Sequence, residues 1–198
     1  MTEPRVTMTR SEILDLFREC SALLDGHFLL SSGLHSNRYI QCALVLQHAW
    51  YAERLAQALA AQWSDTPVDL VVGPALGGIV IGHEVARCLG VRGIFAERDR
   101  GRMSLRRGFV VEKGERALIV ENVITTGGSV AEVAKLLETE GARPVGIGTI
   151  VDRSGGEAEL PVPYRALLEL EVATYAPDAC PLCAQGAPLV KPGSRPGA

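Results

Sequence analysis

The sequence predicts an α/β fold: an open, mainly parallel sheet flanked by helices, with a small subdomain at its N-terminal end. Three observations carry this. Short apolar runs rich in β-branched residues, at 68–72, 117–120 and 145–151, read as strands buried on both faces. Two of them lead through a tight small-residue loop directly into a helical pattern, as strand–loop–helix units do in a parallel sheet. The length, 198 residues, suits one such domain with a proper core.

The elements follow in order. Thr9-Arg10-Ser11-Glu12 has the form of a capping box. Ile13, Leu14, Phe17, Cys20, Leu23 and Leu24 then recur at helical spacing, and Gly26 is expected to end that helix. Cys20 falls on the apolar face as a buried spacer. Residues 27–41, HFLLSSGLHSNRYIQ, predict two short strands around a polar turn. Ser31, Ser32, His35, Ser36, Asn37 and Arg38 are dense for a simple hairpin, and His35 by itself reads as a solvated turn residue. A helix is expected over 49–63, with Ala52, Leu55, Ala56, Leu59 and Ala60 on one face.

The strand at 68–72 runs into Gly73-Pro74-Ala75-Leu76-Gly77-Gly78 and a helix over 79–89. Residues 93–96 predict a third strand. The segment 97–107, ERDRGRMSLRR, holds Arg98, Arg100, Arg102, Arg106 and Arg107 with no apolar period. By composition it is a solvated face. A turn at Glu112-Lys113-Gly114-Glu115 leads into the strand Ala117-Leu118-Ile119-Val120. Glu121-Asn122-Val123-Ile124, the loop Thr125-Thr126-Gly127-Gly128-Ser129 and a helix marked by Val130, Val133, Ala134, Leu136 and Leu137 follow. This is the layout of a phosphate cradle. Glycines let backbone N–H groups turn inward, hydroxyls add donors, and the helix N-terminus favours an anion. A carboxylate at the strand end suits ribose hydroxyls or a hydrated Mg²⁺. The strand at 145–151 ends in Asp152-Arg153. One or two closing strands over 160–173 are broken by Pro161 and Pro163. The residues from Lys191 to Ala198 read as a loose tail.

The pattern at 117–129 resembles the signature of the type I phosphoribosyltransferases, and three further segments narrow the resemblance to their orotate branch. These are the S-G-x-x-S-x-x-Y pattern around Ser32, Gly33, Ser36 and Tyr39, the G-P-A-x-x-G-I run from Gly73 to Ile79, and the D-R at Asp152 and Arg153. The Gly77 form and the CPLC tail are similar to a bacterial subgroup that includes Thermus-type enzymes. The resemblance implies orotate and phosphoribosyl pyrophosphate as substrates, transfer of the phosphoribosyl group, Mg²⁺ carried by the substrate rather than by protein side chains, and a homodimer. It divides the chain into a hood segment with the N-terminal helix over about 1–45, a core over about 46–175 and a CxxC tail over about 176–198.

Residue by residue, the same resemblance assigns phosphoribosyl pyrophosphate to Glu121, Asn122, Val123, Ile124, Thr125, Thr126, Gly127, Gly128 and Ser129. Ala75, Leu76, Gly77, Gly78 and Arg98 take its pyrophosphate end. Orotate is assigned to Thr125 and Arg153. Catalysis is assigned to Glu121 and Asn122 at the ribose and to Arg100 and Arg102 at the leaving group, from a mobile basic loop that reaches a neighbouring subunit. Two positions depart from the family pattern: Asn122 stands where a second acid is usual, and Gly77 where many relatives carry Lys. The Lys that many relatives place before the hood's S-G is also absent, so its phosphate contact is missing or falls to Arg38. Two other readings share the loops: a phosphoribosyltransferase for a purine or another base, and a non-catalytic sensor of phosphoribosyl pyrophosphate.

Composition excludes other classes. A net charge of -3 gives no footprint for nucleic acid. No apolar run reaches membrane-spanning length, and the N-terminal residues lack the apolar segment of a secretory signal. Five cysteines, an odd number, point to a reducing compartment, expected to be the cytoplasm. Cys180-Pro181-Leu182-Cys183 resembles half of a zinc knuckle. Its other ligands would have to come from Cys20, Cys42, a His, or the same pair in a second subunit, and the spacing names none of them.

Overall fold

The computed structural model describes residues 7–30 and 32–192; Ser31, the first six residues and most of the C-terminal tail lie outside the described residues. Helix α1 (Arg10–Glu19) opens on the predicted capping box. The Thr9 hydroxyl accepts the Glu12 N–H at 3.3 Å, and the Glu12 carboxylate accepts the Thr9 N–H at 2.7 Å. The helix does not continue to Gly26. The Ala22 N–H returns to the Phe17 carbonyl at 2.7 Å, and Ser21 takes φ 51, so the chain reverses. Leu23 and Leu24 therefore begin strand β1 (Leu23–Leu29). Leu23 turns inward and Leu24 outward, which is a strand's alternation that happened to match helical spacing. Cys20 caps the helix and is half-buried, not a fully buried spacer.

Strand β1 pairs antiparallel with β2 (His35–Ile40), as the 27–41 pattern predicts. His35 is buried rather than solvated. A short helix α2 (Cys42–Leu46), too short to show a period, was not foreseen. The core then follows as α3 (Ala49–Gln62), β3 (Leu70–Pro74), α4 (Gly77–Leu89), β4 (Arg92–Asp99), β5 (Arg102–Leu105), β6 (Arg116–Ile124), α5 (Gly128–Thr139), β7 (Arg143–Asp152) and β8 (Tyr164–Glu169). Strand β9 (Thr174–Tyr175) returns to pair with β2, and helix α6 (Pro181–Ala184) ends the described elements.

The large sheet has the order β5-β4-β3-β6-β7-β8, parallel throughout except for β5. Both faces are covered, so its strands alternate between two apolar layers. Val71, Leu118, Val120 and Ile150 join Leu55, Leu59, Ile81 and Val85 of α3 and α4. Leu70, Val72, Ala117, Ile119 and Ile147 join Val130, Val133 and Leu137 of α5. Each such large aliphatic chain contributes about 1.5–3 kcal/mol by leaving water. Trp63, at the end of α3, lies against Gly146 of β7: a Cβ built there would meet its ring at 2.2 Å, so glycine is what admits the indole.

The basic segment at 97–107 is not an irregular loop. It forms the end of β4, a turn in which Arg100 has φ 49 and Gly101 φ 85, and then β5. Met103, its one buried anchor, packs in the α5 layer. With Leu105 as the only other apolar residue packed on that layer, a four-residue strand shows too short an alternation to stand out from the arginines. No helix among the described residues is long and apolar enough to cross a membrane.

Candidate active site

Strands β3 and β6 are neighbours, but the chain leaves β3 for β4 on one side and β6 for β7 on the other. The crevice past their carboxyl ends is the switch point of the sheet, where ligands bind in open α/β folds. Two helices begin there. Helix α4 starts at Gly77 behind Leu76, and α5 starts at Gly128 behind Gly127. Neither has a side-chain cap or an acid in its first turn, in contrast to α1. The leading N–H groups and positive dipole ends of both are thus available to an anion.

Around the start of α5, Glu121, Val123, Ile124, Thr125, Thr126, Gly127, Gly128, Ser129 and Val130 line a cavity of about 70 Å³. That is room for a phosphate-sized group. Gly127 has φ 79, which glycine adopts without strain, and a Cβ there would strike Leu160 at 2.6 Å. Glu121 lies at the cavity wall, nearly buried, and its carboxylate accepts the Asn122 N–H at 2.9 Å. Burial pushes its pKa up to about 7, against the smaller opposing effect of that hydrogen bond.

Asn122 does not line this cavity. Its side chain crosses the crevice and lies on Gly77: a Cβ built on Gly77 would be 2.6 Å from Asn122 Oδ1. The two departures from the family pattern therefore meet in space, the missing side chain at 77 leaving the volume that the amide at 122 fills. Ala75, Leu76 and Gly78 form the rest of that loop, with Gly78 buried against β6, Leu76 largely exposed and a cis Ala75–Leu76 peptide.

Arg153 follows β7, and its N–H is bonded to the Ile124 carbonyl at 2.8 Å, beside Thr125. Although Asp152 precedes it, no Arg153–Asp152 salt bridge is present among the described residues. Asp152 instead accepts the Ser154 N–H at 2.7 Å and the Tyr164 hydroxyl at 3.0 Å. The Arg153 Nε is buried with no hydrogen-bond partner among the described residues, and burial pushes its pKa down. A cation so placed awaits an anion. Behind the site, Cys42 of α2 sits 3.9 Å from the Asn122 carbonyl, its thiol pushed up to about 12 by burial first and by Glu121 second. It is inert backing, and only its apolar neighbours in sequence could have hinted at it.

The remaining candidates are not gathered into that cavity. Arg98 is held by Glu132 of α5 through two bonds of 2.8 Å, which tether the β4–β5 hairpin to the signature helix. Arg106 and Arg107 face Asp99 and Glu97. Arg100 and Arg102 lie on the hairpin with no carboxylate partner among the described residues. Arg38 pairs with Asp25 across β1 and β2 at 2.7 Å and lines a separate cavity of about 490 Å³ beside Asp152 and Tyr164. In the hood, Asn37 Oδ1 is buried without a partner among the described residues, an acceptor the polar density of 27–41 marked without singling out.

Together, the fold and the two helix-start cradles define an anion-binding protein of the open α/β class. Comparison with known proteins agrees. Residues 48–173 match the phosphoribosyl transferase domain family. An orotate phosphoribosyltransferase of Pelotomaculum thermopropionicum is 57% identical over 95% of this chain and 99% of its own length. One of Desulforamulus reducens is 56% identical over 95% and 98%. The crystal structure of orotate phosphoribosyltransferase from Aeropyrum pernix superposes with a TM-score of 0.67 at 26% identity, covering 80% of this chain and 93% of that one. The chain belongs to the orotate phosphoribosyltransferase family.

Proposed function

We propose that the chain transfers the 5-phosphoribosyl group of phosphoribosyl pyrophosphate to orotate, giving orotidine 5′-phosphate and pyrophosphate, in the crevice between the starts of α4 and α5. The observation that carries this reading is the pair of uncapped helix N-termini that begin at the switch point, one on each face of the sheet. One would hold each phosphate end of the donor, with Glu121 and Asn122 between them.

The cradle of Thr125, Thr126, Gly127, Gly128 and Ser129 takes the 5-phosphate, with Val123 and Ile124 shaping its wall. Ala75, Leu76, Gly77 and Gly78 take pyrophosphate through backbone N–H groups. Breaking the C1–oxygen bond develops positive charge on the ribose, and Glu121, ionised once the donor and its cation bind, stabilises that charge and holds the hydroxyls. Asn122 offers a neutral oxygen there. Mg²⁺ fits these donors, because the cavity presents oxygen and no thiol or imidazole. When bound with pyrophosphate, it would neutralise the leaving group. Arg100 and Arg102 supply further positive charge from the hairpin, and Arg98 steadies that hairpin through Glu132. A homodimer would bring these arginines to a neighbouring site, which a solution mass measurement checks.

Orotate is gripped by Arg153 and Thr125. The orphaned Nε makes Arg153 the natural partner of the substrate's carboxylate, and a deprotonated ring nitrogen needs no strong general base. Steady-state rates with orotate, uracil, hypoxanthine and xanthine test the substrate. Orotate should lead, and any other base ahead of it overturns the reading. Replacing Arg153 with Ala should raise KM for orotate by about 10²-fold, the loss of one charge-assisted pair of roughly 3 kcal/mol, with KM for the ribosyl donor little changed. Equal effects on both substrates would remove Arg153 from the orotate contact.

A further inference from the structure

We propose that His27, His35, Cys180 and Cys183 form a structural Zn²⁺ site that clamps the C-terminal tail to the hood. The four residues come from β1, β2 and the two ends of the CxxC turn at α6, and their ligating atoms all lie within 4.8 Å of one another. His27 Nε2 is 3.0 Å from His35 Nδ1, 3.5 Å from Cys180 Sγ and 3.7 Å from Cys183 Sγ; Cys183 Sγ is 3.3 Å from His35 Nδ1. Tetrahedral zinc, with Zn–N near 2.05 Å and Zn–S near 2.3 Å, separates its ligands by about 3.3 Å for two nitrogens and about 3.6 Å for nitrogen and sulfur. The observed spacings fall around those values.

Hydrogen bonding alone does not explain the convergence. His27 Nδ1 lies 2.9 Å from the Ala187 carbonyl, a contact that requires its proton there and leaves Nε2 as the bare nitrogen. That nitrogen has one in-plane lone pair, yet three ligating atoms crowd it. A cation at their common centre satisfies all four at once. The backbone carbonyl behind His27 is the outer contact that metal-bound imidazoles keep. Two thiolates and two imidazoles in a tetrahedral set select zinc over Mg²⁺, and four protein ligands leave no open position for chemistry.

The clamp answers a structural need. The hood is a hairpin extended only by the two residues of β9, and such a small sheet is marginal by itself. Beyond the Ala187 carbonyl on His27, the tail reaches it through a backbone bridge in which the Leu29 N–H donates to the Val190 carbonyl and the Val190 N–H to the His27 carbonyl, each at 2.8 Å. His35 also stands opposite Tyr175 of β9. Zinc at this point would join β1, β2 and α6 in one unit, apart from the oxygen-lined cavity of the transfer reaction. Cys20, which caps α1, and Cys42, which opens α2, are not in the cluster.

The test is metal analysis of the full chain purified under reducing conditions. About one zinc per chain is expected, released when an organomercurial titrates the thiols, and a chelator that removes it should lower the melting temperature. Loading with Co²⁺ alone should give the intense visible bands and thiolate charge-transfer absorption of a tetrahedral two-sulfur site. Cys183→Ser, at an exposed position, should cut the zinc ratio at least about tenfold, while Cys20→Ser keeps it. A metal-free reduced chain that takes up cobalt only as a pale octahedral ion would overturn the proposal. So would a zinc ratio indifferent to Cys183→Ser, or a Cys180–Cys183 disulfide in the freshly purified protein. Metal content is read without turnover, so this result is independent of the orotate assay.

Discussion

Glu121→Gln should lower the turnover number by about 10²–10³ and, above neutral pH, make the protein more stable. The two effects have one source. Glu121 is a carboxyl on the buried strand β6, three residues before its end, and burial lifts its pKa from 4.5 to about 7. Because the folded form holds the proton more tightly, stability is greatest at low pH. It falls as pH rises from the unfolded value toward about 7, then stays level. The full difference corresponds to about 3 kcal/mol, an upper figure for a group at the cavity wall. Glutamine keeps the shape and has no charge to bury. Denaturant titrations should therefore coincide for the two proteins near pH 4 and separate progressively up to about pH 7.5. In the enzyme that cost is offset when ribose hydroxyls and cationic charge arrive, since these favour the ionised form. The affinity for phosphoribosyl pyrophosphate with Mg²⁺ should accordingly rise with pH through about 7 in the native chain and stay flat in the variant. A Glu121→Gln variant with unchanged turnover, or with no extra stability at pH 8, would show that the carboxylate neither touches the ribose nor carries the burial cost.

Much of this site was visible as local pattern, because a parallel strand, a small-residue loop and an uncapped helix are each encoded within a dozen residues. The stretch from Ala117 to Ser129 needs no distant partner to be read. Other features depend on what meets in space. Leu23 and Leu24 extended an apparent helical period, and only the reversal at Ser21 assigns them to a strand. The β4–β5 hairpin hangs on Met103 and on Arg98 held by Glu132, 34 residues away in sequence. The CxxC pair showed half a metal site, but its imidazoles lie 153 residues from Cys180 and 148 from Cys183 along the chain. Likewise, Gly77 and Asn122 looked like two separate losses. The fold shows one arrangement, with the amide resting in the space a longer residue at 77 would need.

Gly78→Ala should destabilise the protein by about 2–3 kcal/mol and weaken binding of the phosphoribosyl donor at least about tenfold, while Gly82→Ala in the same helix should be neutral or stabilising by up to about 1 kcal/mol. Both positions lie on α4, so helix propensity favours alanine in each case. The surroundings decide otherwise at 78. A methyl there would stand 2.6 Å from the Val120 carbonyl oxygen, 2.8 Å from the Pro74 ring and 3.1 Å from the Gly73 Cα. These are backbone and ring atoms that cannot swing aside. At 82 the nearest atoms are 3.6 Å or more away, ordinary contact distance. The methyl at 78 must therefore push the start of α4 off β6, and that start is the proposed pyrophosphate cradle. For a chain of this size the loss amounts to about 4–12 °C in melting temperature. A selective effect on the donor, with orotate binding retained, would place the damage at the cradle. If Gly78→Ala instead melts with the native protein and binds the donor normally, the close seat of α4 on β6 is not what positions the pyrophosphate.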